Sequence, residues 1–97
     1  MNFDQFQTSV SAEQPPDGIS ASLTALWHEA RGDWNRAHDL LQDIETAQAS
    51  WVHAYLHRKE GDESNARYWY DKAGKPFPAG RSLEEEWRDI AEALCEA

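Results

Sequence analysis

Apolar positions along this chain fall into five stretches with helical spacing, each bounded by residues that start or stop helices. In the first, Ser20 has an N-cap side chain, and Leu23, Leu26, Trp27 and Ala30 follow at i, i+3, i+4, i+7 as one apolar stripe. Gly32 stops that helix because glycine takes the left-handed conformation at little cost. Asp33 caps the second helix, whose stripe is Ala37, Leu40, Leu41 and Ile44, and Glu45 to Ser50 reads as a weakly specified turn. The third carries Trp51, Val52, Tyr55 and Leu56 and closes at Gly61; Asp62 then caps a fourth with Ala66, Trp69, Tyr70 and Ala73 inside. After Gly74 the loop GKPFPAG is stiffened by Pro76 and Pro78. Ser82 and Glu85 form a capping box for a fifth helix striped by Leu83, Trp87, Ile90, Ala91 and Leu94. Glu84 to Glu86 sit near its positive end and read as a solvated helix start.

Residues 1–18 are polar and end in Pro15, Pro16 and Gly18, so they are assigned to a flexible N-terminal tail, with residues 19–97 as a single helical domain. Within the tail, Phe3, Phe6 and Val10 recur at near-helical spacing, which gives part of it a face for docking on the body.

Sliding the chain against itself by 29 residues aligns its two middle hairpins. Ala25 falls on Ala54, His28 on His57, Gly32-Asp33 on Gly61-Asp62, Ala37 on Ala66, Leu41 on Tyr70 and Ile44 on Ala73. The apolar pairs Leu23/Val52, Leu26/Tyr55 and Trp27/Leu56 share the same register. A helical hairpin is therefore repeated.

The Gly-Asp turn followed by Ala at +5, a bulky residue at +9 and a small or apolar one at +12 resembles the second half of a tetratricopeptide repeat. Gly61, Ala66, Tyr70, Ala73 and Pro78 carry the likeness in one hairpin, and Gly32, Ala37, Leu41 and Ile44 in the other, over residues 20–78. The first halves depart from that family. Ala25 and Ala54 occupy its small site, but Thr24/His53 and His28/His57 stand where it keeps large apolar residues. The 29-residue period is also shorter than the usual ~34. The block WVHAYLHRKEGDESNARYWYDKAG is similar to one in a family of small bacterial proteins of unknown function, also tetratricopeptide-like. These resemblances imply an all-α fold: two antiparallel helical hairpins plus a C-terminal capping helix over the second hairpin, in a tetratricopeptide-like right-handed superhelix. They imply no activity.

Composition narrows the functional classes. The net charge is −9: residues 1–52 contribute −6, residues 53–81 contribute +2 and residues 82–97 contribute −5. Such a chain repels a phosphate backbone, so no nucleic-acid partner is expected. No apolar run approaches the ~20 residues of a membrane helix, and no membrane role is expected. Cys95 is the only cysteine, and MNFDQFQTSV lacks the basic and apolar regions of a secretory leader, so a reduced, cytoplasmic setting is expected.

His53 and His57 stand at i, i+4, a spacing that lets two imidazoles share a metal. The metalloprotease pattern would place Glu after His53, where Ala54 stands; Glu60 lies on the same face one turn on, and no third ligand is evident. A second reading has the two histidines meet Asn65, Tyr68 and Lys72 of the fourth helix in a hydrogen-bonded, half-buried seam or a ligand pocket. A third concerns Trp51, Tyr55, Arg58 and Lys59, aromatic and cationic groups that suit an acidic peptide or a carboxylate, or else pack the core with their charged ends in solvent. There is no phosphate loop, nucleophile elbow or cysteine pair, and Cys95 near a helix C-terminus is not activated. The expectation is thus a non-enzymatic protein- or ligand-binding module, with homodimerisation through exposed aromatics as a further option. Its candidate binding residues are Trp51, His53, Tyr55, His57, Arg58, Asn65 and Tyr68, with no cofactor and no metal set assigned. The rival is a small metal-binding protein or hydrolase-like enzyme centred on His53 and His57.

Overall fold

The computed structural model describes residues 1–96. They form six helices and no strand: α1 Phe3–Ser9, α2 Ala21–Ala30, α3 Trp34–Leu41, α4 Ala47–Glu60, α5 Glu63–Ala73 and α6 Leu83–Glu96. Capping side chains set most of the starts. The Leu23 N–H donates to Ser20 Oγ at 3.1 Å and the Asn65 N–H to Asp62 Oδ1 at 3.3 Å, while Ser82 and Glu85 bond reciprocally at 3.0 and 2.9 Å. The two Gly-Asp turns share one backbone conformation. Gly32 and Gly61 have φ of +85° and +89°, Asp33 and Asp62 have φ/ψ of −103°/73° and −93°/80°, and each Asp N–H returns to a histidine carbonyl, His28 or His57. A Cβ at either glycine would meet no neighbour, so it is the left-handed backbone itself that asks for glycine.

Two boundaries differ from the sequence pattern. Helix α4 begins at Ala47 rather than near Trp51, because Thr46 Oγ1 accepts from the Ala49 N–H at 3.1 Å and Ala49 packs into the core. Helix α3 ends at Leu41, so Ile44 packs from the connecting turn.

The tail expected over residues 1–18 is, over residues 3–9, a docked helix. Phe6 is fully buried (0 % exposed) and stacks on Trp87 at 5.8 Å, with Phe3 meeting the same indole edge-on at 6.2 Å. Polar contacts hold the segment as well: Trp27 Nε1–H donates to the Ser9 carbonyl at 3.1 Å, and Arg31 Nη1 to those of Val10 and Ala12, both at 2.7 Å. Three apolar residues suffice because the partner surface, an indole on α6, is flat and wide.

Helix α2 packs along α3 and α4 along α5, with α4 also touching α2, α3 and α6. Helix α6, expected to cover the second hairpin, lies against α4 and, through Glu86, meets Tyr70 of α5, but it packs equally on α1 and α2. The main core is built from Phe6, Leu23, Leu26, Trp27, Leu41, Val52, Leu56, Ile90 and Leu94, and a smaller one joins Ala54, Ala66 and Tyr70. The Cα radius of gyration, 12.3 Å, is that of one packed domain of this length, about 12.5 Å. Among the described residues, no helix is long and apolar enough to cross a membrane.

Docking of α1 predicts that Phe6→Ala lowers the unfolding free energy by about 3–5 kcal/mol, the usual loss for a buried aromatic. Urea denaturation measures it, and a loss below about 1 kcal/mol would mean that α1 does not pack in solution.

Candidate functional site

The apolar stripe of α3 turns Ala37 and Leu41 into the core and leaves His38 beside it, facing α4. On α4, Val52 and Leu56 enter the main core, which places His53 and His57 one residue further round. The three imidazoles converge. Ring centroids lie 5.0 Å apart for His38–His53, 5.3 Å for His38–His57 and 6.1 Å for His53–His57. One ring nitrogen from each falls within 4.8 Å of the others. His38 is thus the third group that the sequence pattern did not supply.

Two indoles wall the cluster. Trp34 stacks on His38 at 5.0 Å and meets His57 edge-on at 5.9 Å, while its own Nε1–H donates to the Leu56 carbonyl at 2.8 Å. Trp69 of α5 stacks on His53 at 4.1 Å, nearly parallel. Outside the ring of aromatics, Glu60 Oε1 lies 2.7 Å from His57 Nδ1. In the neutral Nδ1–H tautomer, His57 donates to this carboxylate and Nε2 keeps its lone pair.

His53 is 3 % exposed, and neither of its ring nitrogens has a hydrogen-bond partner. Burial pushes its pKa down to about 4; His38, His57 and Lys72 push the same way, against the Leu41 carbonyl, which favours protonation without meeting either nitrogen in hydrogen-bond geometry. The ring is therefore neutral at pH 7, with one N–H and one lone pair both buried. Each unsatisfied group of this kind costs about 1–3 kcal/mol. The His38 pKa is lowered too, first by burial and then by His57.

The remaining sequence candidates are placed elsewhere. Trp51 and Arg58 serve Glu86, which is buried (2 % exposed) rather than part of a solvated helix start. Its carboxylate accepts from Arg58 Nη1 at 2.9 Å, from Trp51 Nε1–H at 3.3 Å and from the Tyr70 hydroxyl at 2.7 Å. Lys75 Nζ lies 4.3 Å from the Trp51 ring centre. Tyr55 is buried, and its hydroxyl pKa is raised by burial and then by Glu29 and Glu86. These three side chains do not line a shared open surface. Asn65 sits in the first turn of α5, where its backbone N–H meets the Asp62 cap. Tyr68 is 56 % exposed and touches the cluster only through Trp69, which it meets edge-on at 5.3 Å. From α5 it is Trp69, not Asn65 or Tyr68, that stacks on a histidine, and Lys72 acts on His53 only through its charge.

Sequence reasoning missed His38, Trp34 and the outward role of Trp69. One signal was present: Trp34 and His38 stand at i, i+4, as His53 and His57 do. The fourth histidine, His28, lies outside the cluster and accepts from Arg36 Nε–H at 3.2 Å. No protein-family model, curated protein or solved structure matches this chain. Chemically, the site offers three nitrogen donors, two aromatic walls and a carboxylate behind one donor.

The titration of His53 has a definite sign. An unfolded chain takes up this proton near pH 6.5 and the folded one only near 4, so stability is lost as pH falls through that window. The ionisable groups that face the ring are His38 on α3, His57 on α4 and Lys72 on α5. Urea denaturation between pH 7 and 4 is expected to show on the order of 3 kcal/mol of acid loss that is absent from His53→Leu. Equal slopes in the two proteins would remove His53 as its source.

Proposed function

We propose that this chain is a small tetratricopeptide-like helical-hairpin module that binds a small ligand or ion at the face made by His38, His53 and His57. The observation that carries the reading is His53, whose two buried nitrogens lack any partner within the protein. A ring recruited only for packing has no reason to keep two such groups, since an apolar side chain of similar size would fill the space without the penalty. The hairpin reading is supported by the 29-residue register and by the matching Gly-Asp turns. A peptide or carboxylate groove at Trp51, Tyr55 and Arg58 is disfavoured, because Glu86 already occupies both the indole N–H and the guanidinium.

Without ligand, the better tolerated of His53→Leu and His53→Phe should be at least as stable as the natural protein, with a gain of up to about 1–3 kcal/mol. Thermal denaturation against a panel of metal ions, small carboxylic acids and amines should raise the natural protein's Tm with at least one compound, and the same compound should leave the variant's Tm unchanged. Both variants proving clearly destabilised would make the ring structural and sink the proposal.

A further inference from the structure

Three imidazole nitrogens within 4.8 Å of one another are close to the spacing that a single small cation needs. A tetrahedral ion with nitrogens at ~2.0–2.1 Å holds them ~3.3–3.5 Å apart, so the rings need to close by at most about 1.5 Å. The rings hang on two side-chain torsions each, and rotation about these supplies that movement without shifting a helix. Lys72, the basic group whose charge acts on His53, lies over the Trp69 ring, 4.9 Å from its centre.

Second-sphere chemistry points the same way. A histidine that binds a metal through one nitrogen usually donates its other N–H to a carboxylate or carbonyl, which fixes the tautomer and strengthens the donor. The Glu60–His57 contact at 2.7 Å takes this form in the Nδ1–H tautomer, which leaves Nε2 as the donor. For His53, an ion at one nitrogen would satisfy a buried lone pair that nothing else reaches. A second grouping, His57 with Glu60 and Asp62, is less suited, since both carboxylates are exposed and Asp62 is engaged as the α5 cap.

We infer that His38, His53 and His57 form a binding site for one divalent transition-metal ion of the zinc class, leaving a fourth position for water or an exchangeable ligand. This rests on the reading of the histidine face as the ligand site and names the ligand. An all-imidazole set selects zinc, copper, nickel or cobalt over calcium and magnesium, which require oxygen. Three protein donors rather than four mark an open site rather than a closed structural one. The half-exposed member is His38, so exchange occurs on its side. Because His38 belongs to α3 and the other two to α4, the ion joins the first helix pair to the second.

The test uses the full chain without a polyhistidine tag, stripped by chelator and titrated with Zn2+ by calorimetry and with Co2+ by visible absorption. One equivalent should bind, with tetrahedral Co2+ bands and a rise in Tm. His38→Ala, at a half-exposed position, should weaken binding by at least tenfold. Glu60→Gln should do so by ~10–100-fold, as outer-sphere partners do. His28→Ala should change nothing. Circular dichroism confirms that each variant is folded, and these positions carry the test because replacing a buried histidine could disturb packing. Binding that survives both His38→Ala and Glu60→Gln, or that disappears with His28→Ala, overturns the site. No metal binding at all also overturns it. In that case a non-metal ligand whose Tm shift depends on His53 would leave the broader reading standing, and destabilised His53 variants would remove both.

Discussion

Helix α4 is enclosed by α2, α3, α5 and α6, and this enclosure governs the rest of the structure. A helix surrounded in this way is ordinarily apolar all round, yet α4 carries His53, Tyr55, His57, Arg58 and Lys59. Each polar group removed from water needs a partner inside the protein. The neighbours provide them sector by sector. Arg58 and Trp51 meet Glu86 of α6, Lys59 meets Glu29 of α2, and His57 meets Glu60 in its own last turn. Two acids that would otherwise be costly to bury, Glu29 and Glu86, are accommodated by adjacent cations on one helix. Among the described residues, the only fully buried side-chain nitrogens or oxygens left without a partner are the two of His53.

Tryptophan performs the complementary task of joining helices. A chain of this length has a small core for the surface it must cover, so each large side chain counts for more than it would in a larger domain. Four of the five indoles use both of their properties, area and donor. Trp27, Trp34, Trp51 and Trp87 each bury ring surface while the N–H reaches across to Ser9, Leu56, Glu86 or Leu26. The fifth, Trp69, makes no such bond and covers His53 instead. Its ring completes the wall of the histidine cluster rather than the main core.

The repeat is geometric more than chemical. Its Gly-Asp turns coincide in backbone angles, but equivalent side chains meet different surroundings. His28 accepts from Arg36, whereas its counterpart His57 contacts Glu60 and lies in the cluster. Thr24 occupies the position equivalent to His53 and bonds the Ser20 carbonyl, and the position equivalent to His38 is Arg67, which lies over Phe77. A site that needs α3 of one pair and α4 of the next exists once, at the junction between the pairs.

The helices themselves were legible in the sequence because their determinants are local. A cap acts within three residues, a left-handed glycine within one, and an apolar stripe within two turns. Hence α2, α5 and α6 lie where pattern and caps put them, and the errors, at the start of α4 and the end of α3, arise where Thr46 caps without an apolar run behind it and Ile44 packs from outside a helix. The i, i+4 histidines were visible for the same reason. Tertiary structure alone decided which surfaces meet. Docking of Phe6 on Trp87, burial of Glu86 beneath Arg58 and Tyr70, and convergence of His38 on His53 and His57 all depend on contacts 15 or more residues apart. A carboxylate looks the same in sequence whether it is solvated or held by three donors, and a histidine the same whether it faces water or two other imidazoles.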